Sequence, residues 1–128
     1  MVTVRISIRT IPHDNQRYPT VGDWIWDKNG DLIINVSDMG NKKYEFLVAF
    51  HELIEVMLCK ERGITQAEVD DFDIAYEARR NFDDTSEPGD SLKAPYYNEH
   101  QFATCLERLM ALELGVNWGE YDEKVNNL

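Results

Sequence analysis

The chain has 128 residues, of which 24 are acidic and 13 are basic, so its formal net charge is −11. This length predicts a single domain over residues 1–128, and the 43% of hydrophobic residues exclude a disordered acidic tail. The excess of acidic side chains argues against binding to nucleic-acid phosphates and to an anionic membrane surface.

The first 36 residues have the pattern of a small sheet. Residues 2–8 alternate between apolar and polar side chains, which predicts a half-buried strand. Two further β-rich runs, at 24–26 and 32–34, flank Asn29-Gly30, and this dipeptide is the strongest short signal for a hairpin. We therefore predict three strands that form an antiparallel sheet.

Helices are predicted from residue 41 onwards. Asn41 can cap the first helix, Thr65 and Glu68 form a capping box for the second, and Pro95 can open the third. The predicted helices span 41–62, 65–81, 95–115 and, as a short last helix, 118–125. Residues 83–95, which include Pro88-Gly89, are predicted to form a surface loop. Because strands precede helices, the predicted fold class is α+β.

The first helix is apolar nearly all round, which predicts that it is the buried central helix. At about 100° per residue, His51 and Glu55 lie about 40° apart in an otherwise apolar sector. A buried imidazole and carboxylate are costly unless they are paired or bound to a metal. A His and a Glu one helical turn apart can converge on one cation, and the alternative is that they pair with each other or with another helix.

The run His51-Glu52-Leu53-Ile54-Glu55 resembles the His-Glu-x-x-His motif of the zincin metallopeptidases, with Glu55 in place of the second histidine. The resemblance implies a zincin-like fold, in which His51 binds Zn²⁺ and Glu52 acts as the general base. Glu55 would then bind the metal as a carboxylate. Over its whole length, including Ala94-Pro-Tyr-Tyr-Asn-Glu-His100, the chain is also similar to small uncharacterised proteins of tailed phages and prophages.

His100 is the predicted third ligand, because a catalytic zinc site needs at least three protein ligands. Small residues surround it on the wheel of the third helix, which would let this helix approach the central one closely. These residues are Ala103, Thr104 and Ala111. The remaining histidine, His13, lies between Pro12 and Asp14 and is expected to be an exposed loop residue.

Three acidic residues are candidates for supporting roles. Glu107 lies too far along the helix axis from His100 to share its ion, at about 10.5 Å, so we expect it to hold a ligand histidine or a basic residue. Asp73 and Glu77 on the second helix are alternative ligands, because a later helix often supplies the last acidic ligand in zincins. The competing interpretation of Asp73 and Glu77 is a solvated acidic face.

Two functional hypotheses follow from these residues. The first is a minimal zinc-dependent hydrolase, in which metal-activated water attacks an amide bond of a peptide or protein substrate. The second is a non-catalytic, phage-encoded module that binds another protein, with the metal or a His–Glu pair as a structural brace. Cys59 and Cys105 are expected to be buried free thiols, and the alternative is one disulfide between them. Free thiols are typical of a cytoplasmic protein, and the location would be the host cytoplasm if the protein is phage-encoded. The sequence leaves the oligomeric state open.

Overall fold

The computed structural model describes residues 3–128 and has an α+β fold, with a small mixed sheet and four α-helices. The strands are β1 (Ile6–Ile11), β2 (Gly22–Trp26) and β3 (Leu32–Ser37). The helices are α1 (Lys42–Glu61), α2 (Gln66–Ala78), α3 (Tyr97–Glu113) and α4 (Trp118–Asn126). Within residues 3–128, every helix is too short or too polar to span a membrane.

The sheet has the order β1-β3-β2, so the third strand lies in the middle. β2 pairs with β3 in the antiparallel direction, whereas β1 pairs with β3 in the parallel direction, with Ile6 opposite Leu32. The prediction of an antiparallel sheet is therefore wrong for β1. An alternating pattern identifies a strand but not its direction, because side chains alternate across the faces of a sheet in both kinds of pairing.

The predicted hairpin is confirmed between β2 and β3. Gly30 has a φ of +81°, which only glycine adopts without strain, and its N–H donates to the carbonyl of Asp27 at 3.0 Å. The Asp27 carboxylate also accepts hydrogen bonds from the backbone N–H groups of Asn29 and Asp31. These bonds hold the turn in place, so β2 and β3 stay in register.

The strand β1 is present, but it spans Ile6–Ile11 instead of the predicted 2–8, and residue 2 lies outside the described residues. Its apolar side chains are not half-buried: Ile6 and Ile8 are 52% and 54% exposed, as is Val4 before the strand, at 54%. The reason lies in the position of α1, which packs on β2 and β3. β1 therefore forms an edge of the sheet beyond the cover of this helix.

The helix starts follow the predicted caps. The side chain of Asn41 accepts a hydrogen bond from Tyr44 N, and Thr65 and Glu68 form the complete capping box. The third helix begins at Tyr97, two residues after the predicted start at Pro95. The second ends at Ala78, three residues earlier than predicted.

α1 is the centre of the molecule, packed between the sheet and α3. Leu47 and Val56 are fully buried on this helix, as are Leu32 and Ile34 on the central strand. The helix is not buried all round, since Phe46 on its outer side is 46% exposed. With the sheet on one side, the other buried side of α1 presents His51 and Glu55 towards α3.

Candidate metal centre

His51, Glu55 and His100 meet at one point between α1 and α3. The Nε2 atom of His51 lies 3.1 Å from Glu55 Oε2 and 3.2 Å from His100 Nδ1, and the last two atoms are 2.9 Å apart. All three side chains are buried. The structure thus brings together the three residues that the sequence analysis selected as ligands.

The spacing of these atoms suits a divalent metal ion. In a tetrahedral site with bonds of about 2.0–2.1 Å, neighbouring ligand atoms are about 3.3 Å apart. The three distances of 2.9–3.2 Å are close to this value. The three residues could therefore hold a metal with shifts of only a few tenths of an ångström.

A second contact orients His51. Its Nδ1 atom lies 2.7 Å from Glu107 Oε1, and the hydroxyl of Tyr121 donates to Glu107 Oε2 at 2.5 Å. When Nδ1–H donates to Glu107, the neutral ring leaves its Nε2 lone pair directed at Glu55 and His100. Carboxylates hold ligand histidines in this way in metal sites, and Glu107 thus occupies the supporting position considered for it.

Without a metal, protons can balance the charges of the cluster. Burial lowers the pKa of His51, but hydrogen bonds to Glu107 and Glu55 outweigh this effect, so the pKa is raised well above its usual value. Burial raises the pKa of Glu55, but hydrogen bonds to His100 and His51 lower it overall to about 2. A metal ion would compete with protons for these ligands, so its binding should weaken in acid.

Trp24 contributes a contact that the sequence analysis did not assign. Its Nε1–H donates to Glu55 Oε1 at 3.0 Å, and its side chain is buried. This bond occupies one carboxylate oxygen and leaves Oε2 directed at the two histidines. The sequence signal was an aromatic residue in the predicted hairpin, which indicates core packing more often than a role at a site.

The loop before α3 forms the outer wall of the site. His100 Nε2 lies 2.9 Å from Glu87 Oε2 and 3.4 Å from Asp90 Oδ1, within ion-pairing distance of both. A Cβ atom on Gly89 would collide with the His100 ring, so only glycine allows this close approach. The turn signals of residues 83–95 predict only a surface loop, and the signal that marks the site is the pair of acidic residues that flank Pro88-Gly89.

Glu52 lies on the wall of the same cleft as the three candidate ligands. A Cβ atom on Gly22 would come within 2.8 Å of Glu52 Oε1, so the missing side chain makes room for the carboxylate. Burial, reinforced by the negative charge of Glu55, raises the pKa of Glu52 well above its usual value. A carboxylate with a raised pKa is suited to proton transfer.

The alternative ligands lie outside the point where the three residues meet. Asp73 accepts hydrogen bonds from Tyr18 and Tyr96 at 3.1 and 2.6 Å, and Glu77 forms an ion pair with Arg80 at 2.7 Å. Neither residue belongs to the cluster, although both line the cleft.

Four further residues named from the sequence lie in different surroundings. Thr104 lies one turn after His100 and also lines the cleft. His13 is half-buried, with Nδ1 2.8 Å from Ser37 Oγ, so the expectation of an exposed loop residue is wrong. Cys59 and Cys105 are both free, but Cys105 is exposed instead of buried, on a part of α3 that lines the open cleft.

Comparisons of the chain with models of known families, with characterised proteins and with solved structures found no match. The resemblances to the zincins and to small phage proteins therefore stay predictions.

Proposed function

We propose that this protein is a zinc-dependent hydrolase that cleaves amide bonds in a peptide or protein. The observation that carries the proposal is the group of three buried ligand atoms 2.9–3.2 Å apart, from His51, Glu55 and His100. They lie in the wall of a cleft of about 780 Å³, and Glu52 lies in the same wall. A ligand set, a nearby base and room for a substrate are the parts that metal-assisted hydrolysis requires.

In this proposal each residue has one role. A bound zinc ion would polarise the substrate carbonyl and make water in the cleft more acidic. Glu52 takes the proton from the attacking water and later passes it to the leaving amine. Glu107 and Trp24 act as positioning residues, since they orient His51 and Glu55.

The charge of Glu55 affects the expected activity. An anionic ligand in place of a neutral histidine lowers the net positive charge at the ion, so the nearby water is a weaker acid. We expect hydrolysis to be slower, or to have its optimum at higher pH, than with a neutral ligand. The free thiols of Cys59 and Cys105 fit the reducing cytoplasm, where we place the protein.

The test separates metal binding from chemistry. Glu52→Gln should keep one zinc ion per chain but lower hydrolysis of a mixed peptide library by at least about 100-fold, because the proton acceptor is lost. Glu61→Gln is the matched control, since Glu61 is exposed near the end of the same helix and should behave like the wild type. Zinc is measured by elemental analysis of protein purified without chelator, and cleavage by mass spectrometry of the peptides.

Two results would contradict the proposal. Wild-type protein without bound zinc, or with the same zinc content as His51→Ala, would remove the metal from the mechanism. If wild type and Glu52→Gln hold zinc but are equally inert, the metal braces α1 against α3, and the protein is the non-catalytic binding module.

A further inference from the structure

The negative charge of this protein is concentrated in one place. Eleven of its 24 acidic side chains line the cleft, together with only two of its 13 basic side chains. The rest of the chain, with 13 acidic and 11 basic side chains, is almost neutral. Charges of one sign that line a cleft attract ligands of the opposite sign and raise their local concentration.

The two basic side chains in the lining are already engaged. Arg80 pairs with Glu77 at 2.7 and 2.8 Å and donates to the carbonyl of Asp84. Arg108 lies over the ring of Trp118, with 4.7 Å between its Cζ and the ring centre. Arg17, which lies outside the lining, pairs with Asp23 and Asp70 at 2.8 and 2.9 Å. Within residues 3–128, seven of the eleven acidic side chains have no arginine or lysine partner, among them Glu52, Asp73 and Glu107.

One of these eleven carboxylates is buried without a cationic partner. Asp73 is only 7% exposed and lines the cleft, yet within residues 3–128 it has no ion-pair partner. Its two oxygens are held by the hydroxyl groups of Tyr96, at 2.6 Å, and Tyr18, at 3.1 Å. Each oxygen keeps a further acceptor position, because a carboxylate can accept about four hydrogen bonds.

The surroundings of Asp73 suit an ammonium or guanidinium group. Tyr18, which is only half-buried and donates to Asp73, also lines the cleft, and aromatic faces attract cations. Burial, opposed by the hydrogen bonds from Tyr96 and Tyr18, raises the pKa of Asp73 to about 7. A cation next to Asp73 would restore the charged form of this carboxylate.

We propose that the cleft takes a cationic substrate, with a lysine or arginine side chain of a peptide bound at Asp73 and a nearby peptide bond at the metal ligands. The hydrolysis of the bound peptide rests on the proposed function, whereas the binding of its cationic side chain does not. Tyr96 links the two parts of the cleft, since its hydroxyl holds Asp73 and its ring lies edge-on to His100, with 5.9 Å between the ring centres.

The test compares two capped peptides that differ at one residue. One carries lysine and the other glutamate at the same position of an otherwise uncharged sequence. Binding to the zinc-loaded protein is followed by tryptophan fluorescence, because Trp24 and Trp118 line the cleft. We expect the lysine peptide to bind at least about 10-fold more tightly, with a preference that shrinks at high salt.

Asp73→Asn should lower the preference for lysine about 10-fold or more, because it removes the charge but keeps a hydrogen-bond acceptor. Asp71→Asn is the matched control, since Asp71 is exposed on the same helix and lies outside the cleft lining. Circular dichroism and thermal unfolding establish that both variants fold. If Asp73→Asn does not fold, Tyr18→Phe, which removes one hydrogen bond to Asp73, should lower the preference by a smaller factor.

Equal binding of the two peptides by the wild type would overturn the inference. An unchanged preference in Asp73→Asn, or in Tyr18→Phe where that variant has to be used, would do the same. This test can fail or succeed independently of the test of the proposed function. A preference for lysine without cleavage of any peptide would leave this inference standing and remove the hydrolase, whereas cleavage without a charge preference would do the reverse.

Discussion

His51 uses both of its ring nitrogens, one towards Glu107 and one towards Glu55 and His100. The sequence indicated the second contact, because residues one turn apart on a helix share a face. It left open which side chain Glu107 would hold, since a helical wheel orders residues within one helix but not between two. Packing of α3 against α1 decided that Glu107 lies opposite His51.

At the residue scale, the contact with Glu107 leads to a prediction about metal affinity. Glu107→Gln should lower the affinity for zinc about 10- to 100-fold, because a neutral acceptor holds Nδ1–H of His51 less strongly and makes the ring a weaker ligand. The affinity is measured by competition with a chelator of known strength. Glu113→Gln, at an exposed position near the end of α3, is the control that should leave the affinity unchanged.

An unchanged affinity in Glu107→Gln would mean that Glu107 does not determine the state of the His51 ring. The contact with Tyr121 would then be structural, bracing α4 against α3.

At the scale of the elements, β1 and β3 place isoleucines at paired positions of the sheet, but the two strands have different surroundings. Ile34 on the central strand is fully buried, whereas Ile8, its register partner on β1, is 54% exposed. The pattern alone cannot separate these cases, because it reports which residues share a face and not whether another element covers that face. α1 packs on β2 and β3, so it covers the side chains of β3 and leaves those of β1 exposed.

This difference predicts unequal costs for the same substitution. Ile34→Ala should lower the free energy of unfolding by about 2–5 kcal/mol, because it leaves a cavity under α1. Ile8→Ala should cost less than about 1 kcal/mol, since most of its side chain is already in contact with water. Urea denaturation of the two variants, followed by circular dichroism, measures both values. Similar losses would show that the outer side of β1 is covered in solution, for example by a second copy of the chain.

The loop before α3 is another element whose role depended on packing. The sequence predicted that residues 83–95 connect two helices, and the 3₁₀ turn Pro88–Asp90 lies within this loop. Only the contact between Gly89 and His100 makes the loop part of the site. Local turn signals report backbone shape, and they carry no information about which distant ring the turn lies against.

At the scale of the whole molecule, the charge of −11 has a location that composition does not reveal. Much of it lies in the cleft around His51, Glu55 and His100. These carboxylates repel one another when no cation is present, so a bound divalent ion should relieve the repulsion as well as link α1 to α3.

Zinc should therefore stabilise the folded protein measurably. At a free concentration about 100 times the Kd, binding adds about 2.7 kcal/mol to the free energy of unfolding, which for a domain of this size raises the Tm by about 10 °C. Differential scanning fluorimetry with zinc and with a chelator measures the shift. His51→Ala is expected to show only a small rise in Tm on addition of zinc. A rise in Tm equal to that of the wild type would place the stabilising ion at another site.

The sequence by itself determined the α+β class, the β2–β3 hairpin, the caps of the first two helices and the shared face of His51 and Glu55. These features depend on contacts between residues close in the chain, where spacing alone sets the geometry. Only the tertiary structure decided the direction of β1, the approach of His100 and the contacts of Trp24, Gly89 and Glu107. Each of these depends on residues far apart in the chain, which meet only when the helices and the sheet pack around α1.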